Sequence, residues 1–432
     1  MNDPLGCLAA DPGRVPRRYR AGSTKEYAVT KPGNALFSSA VKCIELSASN
    51  RASELARTLV ARGVDVVNLT VGEPDFDTPE DIRDAAFAAI QRGETRYTSI
   101  HGTPALKAAV IEKFRRDNGL SYDLANIAVS AGAKQIIYNA FVATIDPGDE
   151  VIVPRPCYVS YPQMVKLVGG TVRDVSTIES DYNLPLERIG AAITPRTKWI
   201  VLNSPNNPTG AVYSRDELAG LADILRSHEF VYVLSDDVYE HLVFDNGQFH
   251  SLAQVAPDLQ NRVLVINSMS KAYSMTGWRL GFAAGPEDLV REMAKVQSQS
   301  TAAPCSISQA AAVAGLSGTL DVVRERTEIF QQRRDFFFER LNKIPGLKPN
   351  RPSGAFFILL DCSAFFDRKA PNGNVLRNDT DFAEFLLEQS AVATIPGEPY
   401  GISTCVRLSF ATAMERLEEA GDRIEKACRA LH

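Results

Sequence analysis

The chain has 432 residues, 45% of them hydrophobic and 23% charged, which is typical of a globular protein and excludes a disordered or fibrous chain. Its formal net charge of -5 gives no overall attraction for nucleic acid or an anionic membrane surface, so we expect small-molecule partners. No apolar run approaches the roughly 20 residues that cross a bilayer. Seven cysteines without a C-x-x-C pair and five histidines without an H-E-x-x-H motif predict no metal site and favour a reducing, cytoplasmic compartment.

The N-terminal part of the chain is irregular. Residues 1–34 are rich in proline and arginine and are predicted to be a flexible extension. The alternatives are a start codon chosen too far upstream and a targeting peptide, although the apolar stretch LGCLAA is short for a secretory signal. Residues 35–65 carry a helical pattern around ASELARTLVARG. We expect this segment to join a small domain formed with the C-terminal part of the chain.

Between residues 66 and 306, short β-rich runs alternate with helical patterns, which predicts a large α/β domain built on a mainly parallel sheet flanked by helices. The apolar residues of these runs are continuous, as in strands covered on both faces. The predicted strands are NIAVS (126–130), EVIVP (150–154), KWIVLN (198–203), VYVLSD (231–236) and RVLVIN (262–267). From residue 307 to 432 a long charged helix precedes GAFFILLD and CVRLSF, which predicts a smaller α+β domain.

Two of the covering helices are marked by Thr-Pro pairs at their starts. Thr78 and Thr103 are predicted N-caps, each followed by a proline at the first helical position. Gly93 and Gly119 mark the expected ends of these helices.

Reactive and small residues follow the predicted strands, at the edge where an open parallel sheet binds ligands. Gly132 opens a helix whose free N–H groups suit a phosphate, Asp236 ends VYVLSD, and Lys271 lies shortly after RVLVIN. Taken singly, they are explained as a tight turn, a helix N-cap and a solvated lysine. Taken together with the nearby amide, tyrosine and arginine, they match a pyridine ring with a phosphate and an aldehyde. The strand ends therefore predict a pyridoxal phosphate site.

Six motifs in a fixed order then identify a family resemblance. They are VGEPDFDTP, SAGAKQ, NSPNNPTG, SDDVYEHL, SMSKAYSMTGWRLG and VRLSF. From about Phe37 onward the chain resembles the class I pyridoxal-phosphate-dependent aminotransferases of fold type I, and within them the branch of many bacterial aspartate aminotransferases. The resemblance implies a seven-stranded, mainly parallel sheet, pyridoxal 5'-phosphate as cofactor, and a homodimer with shared active sites.

The resemblance also implies roles for individual residues. Lys271 is the Schiff-base lysine that also carries the proton from the substrate Cα, and Asp236 pairs with the pyridine nitrogen. Tyr239 and Asn207 hydrogen-bond to the phenolic oxygen of the ring, and Tyr158 stacks on the ring. The implied cofactor-binding set also includes, around the phosphate, Gly132, Ala133, Lys134, Ser268, Arg279 and, from the neighbouring subunit, Tyr97.

The implied substrate-binding residues are Arg407, Gly72, Asn207 and Lys134. Arg407 holds the substrate α-carboxylate with its planar two-pronged donor, and Gly72 lets the backbone approach that carboxylate. Lys134 matches a lysine associated with the distal carboxylate of acidic substrates, although a first-turn lysine facing solvent is an equally good explanation. The segment Leu46–Ser49 reads LSAS where this branch has Pro-Ser-x-Thr, so a preference for aspartate stays open.

The predicted function is transfer of an amino group from an L-amino acid, acidic or aromatic, to a 2-oxoacid. One alternative is other pyridoxal phosphate chemistry, such as β-elimination or an oxidative reaction. A second is a non-catalytic, ligand-sensing domain, but the irregular residues before Leu36 are fewer than the roughly 50 of a typical DNA-binding domain. The sequence leaves open the amino donor, the acceptor, the pathway and the role of the N-terminal extension.

Overall fold

A computed structural model describes residues 36–46 and 48–432, with no side-chain description for residues 48–51. The predicted N-terminal extension, residues 1–34, therefore lies outside the described residues. Among the helices of the described part, none is both long and apolar enough to span a bilayer.

The strands of the described chain form three sheets. In chain order they are β1 (Val67–Asn68), β2 (Ile127–Ser130), β3 (Glu150–Arg155), β4 (Thr171–Ser176), β5 (Thr197–Asn203), β6 (Tyr232–Asp236), β7 (Val263–Ser268), β8 (Gly281–Ala284), β9 (Lys348–Pro349), β10 (Phe357–Asp361), β11 (Val392–Ala393), β12 (Ile395–Pro396) and β13 (Cys405–Ser409).

The α-helices surround these sheets. They are α1 (Ser39–Lys42), α2 (Ala48–Ala61), α3 (Glu80–Gln91), α4 (Pro104–Asn118), α5 (Ala133–Thr144), α6 (Ser160–Leu167), α7 (Leu186–Ala192), α8 (Arg215–Arg226), α9 (Leu252–Val255), α10 (Glu287–Ser298), α11 (Ser306–Ser317), α12 (Asp321–Asn342), α13 (Asp379–Ser390) and α14 (Met414–Arg429).

The seven-stranded sheet has the order β2-β8-β7-β6-β5-β3-β4. Its strands pair in parallel from β7 to β4, and β8 pairs antiparallel with both neighbours. The predicted mainly parallel sheet is therefore confirmed, and each of the five predicted strands is correct to within one residue at each end. The sequence patterns missed β4, an edge strand with mostly exposed or half-buried residues, and β8, which is short and made largely of small residues.

Alternate residues of each central strand pack into two different cores. In β7, Val263 and Val265 contribute to the core beneath α3, α4, α8 and α11, whereas Leu264 and Ile266 contribute to the core beneath α5, α6 and α10. Because successive side chains of a strand point to opposite faces, both faces must be covered by helices. This double covering explains the continuous apolar runs of the sequence.

The C-terminal part of the chain forms the four-stranded sheet β12-β13-β10-β9. Its strands are antiparallel, and their apolar side chains share a core with α12, α13 and α14. Helix α2 packs on this part through Ala56, which is buried with Val66 and Ala393. The division into a large domain (66–306) and a small domain (307–432) that also takes in residues 35–65 stays a prediction.

The two Thr-Pro pairs have different outcomes. Thr103 caps α4 as predicted, since its hydroxyl accepts a hydrogen bond from the Leu106 N–H, and Gly119 ends the helix at φ 63°. Thr78 does not cap α3, so that prediction is wrong. Its hydroxyl instead donates to the Ser274 carbonyl and accepts from the Trp278 indole, because the start of α3 packs against the loop that follows β7.

Candidate active site

A cavity of about 780 Å³ lies at the carboxyl ends of β5, β6 and β7. Asn203, Asp236 and Ser268, the last residues of these three strands, all contribute to its wall. The predicted site residues that line it are Gly72, Ala133, Lys134, Tyr158, Asn207, Asp236, Tyr239, Ser268, Lys271, Arg279 and Arg407. The fold therefore brings together residues that are up to several hundred positions apart in the chain.

Two predicted residues are not part of the cavity wall: Gly132, which directly precedes the lining residue Ala133, and Tyr97. The Tyr97 side chain is 98% exposed in the single chain. The role predicted for it, in the site of a neighbouring subunit, stays a prediction.

Lys271 lies in the loop after β7, partly buried at the cavity wall. Its ammonium donates a hydrogen bond to the Gly72 carbonyl oxygen and lies 5.8 Å from the centre of the Tyr239 ring. Burial lowers the pKa of Lys271 to about 8, and the positive charges of Arg407 and Arg279 act in the same direction against Glu73 and Asp236. About a tenth of this amine is therefore uncharged, and nucleophilic, at pH 7, far more than for a free lysine.

Asp236 is buried at the end of β6. Its Oδ2 atom accepts a hydrogen bond of 2.6 Å from the Tyr161 hydroxyl, whereas its Oδ1 atom is buried without a hydrogen-bond partner among the described residues. Burial raises the pKa of Asp236 to about 6, although the Tyr161 hydrogen bond, the nearby Val238 backbone N–H and the Lys271 charge oppose the rise. An unpaired carboxylate oxygen in such a place is suited to a cationic or N–H ligand group.

The start of α5 and the loop carrying Arg279 form an anion-binding corner of the cavity. Gly132 precedes α5 at φ 96°, and a Cβ atom there would lie 2.5 Å from Arg279 Nη2. A Cβ atom at Gly281 would lie 2.4 Å from the Ala133 backbone nitrogen. Glycine at both positions keeps the helix N–H groups and the guanidinium close together, which is the arrangement that binds a phosphate.

Arg407 is buried in β13, 2% exposed, on the other side of the cavity. It donates to the Asn207 Oδ1 atom at 3.1 Å and to the Thr70 carbonyl at 2.7 Å, and its Nε atom has no partner among the described residues. The Phe357 ring lies 4.2 Å from the guanidinium carbon. Both acceptors are neutral, so the site offers a buried positive charge to a ligand carboxylate.

Aromatic side chains complete the wall. Tyr158 contacts Tyr161 edge to face at 5.4 Å between ring centres, and the Lys134 ammonium lies 5.4 Å from the Tyr158 ring centre. Tyr239 packs edge to face on Phe356 and Phe357, which orients its hydroxyl end. Together these rings provide flat surfaces suited to an aromatic ligand.

The structure adds residues that the sequence analysis missed. Tyr161 is the donor to Asp236, Asn203 accepts from the Asn207 N–H, and Thr70 holds Arg407. The one available signal concerned Tyr161, which lies three residues after the predicted ring-stacking residue Tyr158. The other contacts join residues through the folded chain and leave no local pattern.

Comparisons with known proteins agree with this geometry. The family model for aminotransferase class I and II matches residues 64–424. An aspartate/prephenate aminotransferase of Cereibacter sphaeroides is 50% identical over 377 residues, which are 87% of this chain and 94% of that protein. A probable aspartate/prephenate aminotransferase of Rickettsia bellii is 48% identical over 370 residues, covering 85% of this chain and 93% of that one.

Solved structures give the same answer for the fold. The aspartate aminotransferase of Rhizobium meliloti superposes with a TM-score of 0.88 at 46% identity, over 91% of this chain and 99% of that one. The aspartate aminotransferase of Thermus thermophilus with maleate superposes with a TM-score of 0.84 at 43% identity, over 90% of this chain and 99% of that one. The fold type I architecture expected from the motifs is confirmed. The chain belongs to the aminotransferase class I and II family and is a transaminase.

Proposed function

We propose that this transaminase uses pyridoxal 5'-phosphate in the cavity to move an amino group from an L-amino acid, acidic or aromatic, to a 2-oxoacid. The observation that carries the proposal is that the Lys271 amine and the unpartnered Asp236 oxygen line the same cavity as the buried cation Arg407. An amine, an acid and a carboxylate receptor are what an amino-acid substrate and a pyridine cofactor require together.

Three features of the chain fit the cofactor. Asp236 Oδ1 is a buried acceptor that lacks a donor among the described residues, as a partner of a protonated ring nitrogen would. The corner between Gly132 and Arg279 is kept open by the absence of a Cβ atom. Lys271, with its pKa lowered to about 8, is a suitable amine for an aldehyde.

When bound, pyridoxal phosphate supplies an aldehyde that condenses with amines and a ring that accepts electrons as the substrate Cα loses its proton. Asp236 stabilises positive charge at the ring nitrogen position, and Tyr161 holds the Asp236 carboxylate in place through Oδ2. Tyr239 and Asn207 offer polar groups for the phenolic oxygen, and Tyr158 offers a ring face. Lys271 Nζ moves the proton away from the substrate Cα.

The phosphate is held, in this proposal, by the N-terminus of α5 at Gly132 and Ala133, by the Ser268 hydroxyl and by Arg279. Lys134, in the first turn of α5, adds positive charge nearby. The helix dipole and these donors favour a dianion over a neutral group.

Arg407 binds the substrate α-carboxylate in this proposal, and Gly72 lets the backbone approach it. The Arg407 guanidinium is already oriented by Asn207 and Thr70, so its remaining donors are fixed before the substrate arrives. A pre-oriented buried cation selects substrates with a carboxylate next to the reacting amine or ketone.

The acidic donor is supported by the relatives named for aspartate and by Lys134 at the cavity wall. Two of the relatives are also named for prephenate, a 2-oxoacid, which makes it a candidate acceptor to test. The departure in the LSAS segment lies largely outside the described residues, since Ser47 and the side chains of Ala48 and Ser49 are not described.

We also propose a homodimer in which Tyr97 reaches the phosphate of the neighbouring subunit. Tyr97 is exposed in the single chain, so its side chain is accessible to a neighbouring subunit. A mixed dimer of Tyr97→Phe and Lys271→Ala chains tests this. If the sites are shared, one site combines the intact Lys271 with Tyr97 of the other chain and keeps wild-type cofactor affinity, whereas the second site lacks both residues. Equal cofactor affinity of Tyr97→Phe and wild type would contradict the shared site.

The identity of the amino donor is tested by adding each amino acid in turn to the holoenzyme and recording the visible spectrum of the bound cofactor. We expect aspartate or glutamate to convert the cofactor to its amine form fastest, with aromatic amino acids next. In the full reaction, new amino acid and new 2-oxoacid should appear in equal amounts. Unequal amounts, or release of ammonia, would favour an elimination or oxidative reaction instead.

A further inference from the structure

A buried polar cluster lies directly behind the cavity, outside the residues that line it. Its centre is Glu240, which follows Tyr239 and is buried. Glu240 Oε1 accepts from the Asn267 side-chain amide at 2.7 Å, and Oε2 accepts from the Asn118 side-chain amide at 2.8 Å. The Lys113 ammonium contacts Glu240 and donates to Asn118 Oδ1 at 2.7 Å.

The same cluster contains a possible set of metal ligands, but its charges are already compensated. The ligand atoms of Asp117, Glu240 and His241 lie within 4.8 Å of one another. Lys113 forms an ion pair with Glu240, and Arg116 forms one of 2.6 Å with Asp117. Two cations therefore face the two carboxylates, so the cluster is better explained as an ion-pair network than as a cation site.

The cluster fixes the orientation of the Asn267 amide. A side-chain amide can present either its oxygen or its NH₂ group in a given direction. An ionised carboxylate only accepts hydrogen bonds, so Glu240 requires the NH₂ group of Asn267 on its side. The Asn267 oxygen then faces the other way and accepts from the Ser268 backbone N–H at 2.7 Å.

Ser268 begins the segment that carries Lys271. Its hydroxyl accepts from the Ser270 N–H at 3.3 Å, and the Ser270 carbonyl accepts from the Met275 N–H at 3.2 Å. Ser268, Ser270 and Lys271 all line the cavity. The position of the Ser268 peptide therefore sets where this segment presents its hydroxyls and its amine.

We propose that Glu240 is a positioning residue for the transaminase site, acting through the Asn267 amide on the segment from Ser268 to Lys271. Lys113 and Asn118 of α4 contact the Glu240 carboxylate and fix its position. Through Glu240 and Asn267, the helix layer beneath the sheet therefore also fixes the position of the Lys271 amine. The inference rests on the proposed attachment of the cofactor to Lys271.

The chain offers a matched control for this proposal in Glu150. Glu150 is also a carboxylate buried to 1% exposure and paired with cations, at 2.7 Å from Arg173 and 2.8 Å from Arg196. It is the first residue of β3, at the end of the sheet away from the cavity. Glu150→Gln and Glu240→Gln therefore remove the same charge from a buried carboxylate, but only the second is linked to Lys271. The cationic partners of Glu150 are the more exposed, Arg173 at 45% and Arg196 at 62% against Lys113 at 2%.

The test measures three properties of each holoenzyme: the pH midpoint of the visible absorption band, the affinity for added pyridoxal phosphate, and kcat. We expect Glu240→Gln to shift the midpoint, weaken the cofactor and lower kcat by roughly tenfold or more, since a misplacement of about 1 Å costs up to about 100-fold. Thermal unfolding is recorded as a fourth property, and Glu150→Gln should lose thermal stability without changing the first three.

Asn267→Ala is a second test of the proposal, because it removes the hydrogen bond to Ser268 and leaves Lys113, Asn118 and Asp117 in place. We expect it to reproduce the spectral and affinity changes of Glu240→Gln, and the double variant to go no further than the stronger single variant. If both variants behave like Glu150→Gln, Glu240 is only structural and the inference is wrong. If the wild type itself carries no borohydride-reducible link at Lys271, the proposed function fails first.

Discussion

The two ends of the seven-stranded sheet each contain a buried carboxylate, but the two carboxylates differ in their hydrogen-bond partners. At the amino end of β3, Glu150 accepts hydrogen bonds from Arg173, Thr194 and Arg196, which together hold its pKa at about 2 against the effect of burial. At the carboxyl end of β6, Asp236 has Tyr161 on one oxygen and no partner among the described residues on the other.

This difference separates a carboxylate that supports the fold from one that is kept for a ligand. A buried polar atom without a partner destabilises the folded chain, and a chain selected only for stability would pair it. Asp236 is left with a pKa raised to about 6, and Lys271 with a pKa lowered to about 8. Both shifts arise chiefly from burial, so the cavity end carries an energetic cost that ligand binding removes.

The largest expected effect is that of Lys271→Ala on activity. Removing the amine should lower kcat by about 10⁴-fold, because it removes both the covalent attachment and the group that moves the Cα proton. Lys295→Ala, at a lysine side chain that is 67% exposed, is the control and should keep wild-type kcat. A Lys271→Ala enzyme with more than a few per cent of wild-type turnover would place the reacting amine elsewhere.

The second prediction compares Asp236→Asn with Glu150→Gln directly. Asp236→Asn keeps the shape and should lower kcat by about 10²- to 10³-fold, since the negative charge at the ring nitrogen is lost. Without cofactor, its thermal stability should equal or exceed that of the wild type. Glu150→Gln should keep kcat and lose about 1–3 kcal/mol of unfolding free energy. The comparison breaks down if the two variants change activity and stability alike.

The third prediction concerns the substrate side of the cavity. Arg407→Lys keeps the charge but loses the planar donor held by Asn207 and Thr70, so KM for the amino acid should rise and kcat/KM should fall by roughly 10- to 100-fold. Arg334→Lys is the control, because Arg334 is fully buried in an ion pair with Asp245 away from the cavity. An unchanged KM in Arg407→Lys would move the α-carboxylate to another residue.

The smallest expected effect is on stability as a function of pH in the cofactor-free protein. The pKa of Asp236 is raised from 3.8 to about 6, so the folded chain holds a proton that the unfolded chain releases. The free energy of unfolding of the cofactor-free protein therefore falls as pH rises, by about 2 kcal/mol between pH 4 and 6 from Asp236 alone. The pKa of Glu150 is lowered from 4.5 to about 2, so its contribution is lost as pH falls through that range.

Denaturant unfolding at several pH values measures both contributions. Asp236→Asn should reduce the loss of unfolding free energy that occurs as pH rises from 4 to 6. Glu150→Gln should reduce the loss of unfolding free energy that occurs as pH falls at lower pH. The same pH dependence in both variants would mean that the two carboxylates do not differ as described.

The sequence predicted the elements whose signal is local. The five predicted strands were found because each is buried on both faces and so reads as an unbroken apolar run. Strand β4 was missed because most of its residues are exposed or half-buried, and β8 because three of its four residues, Gly281, Ala283 and Ala284, carry little β signal. Thr78 was assigned wrongly because its hydroxyl bonds the loop at Ser274, a contact 196 residues away in sequence.

The candidate site divides in the same way. Lys271 and Asp236 could be predicted, since each follows a recognisable strand and the carboxyl ends of parallel strands meet at one edge. Tyr161 and Glu240 could not, because their hydrogen bonds join positions 75 and 27 residues apart. Which oxygen of Asp236 is left unpaired is decided only by the packing of α6 on the sheet.

The most direct measurement is to reduce the holoenzyme with borohydride, digest it and locate the attached pyridoxyl group by mass spectrometry. We expect a single modified peptide, with the group on Lys271. Modification at another lysine, such as Lys134, or a protein that binds no pyridoxal phosphate at all, would contradict it.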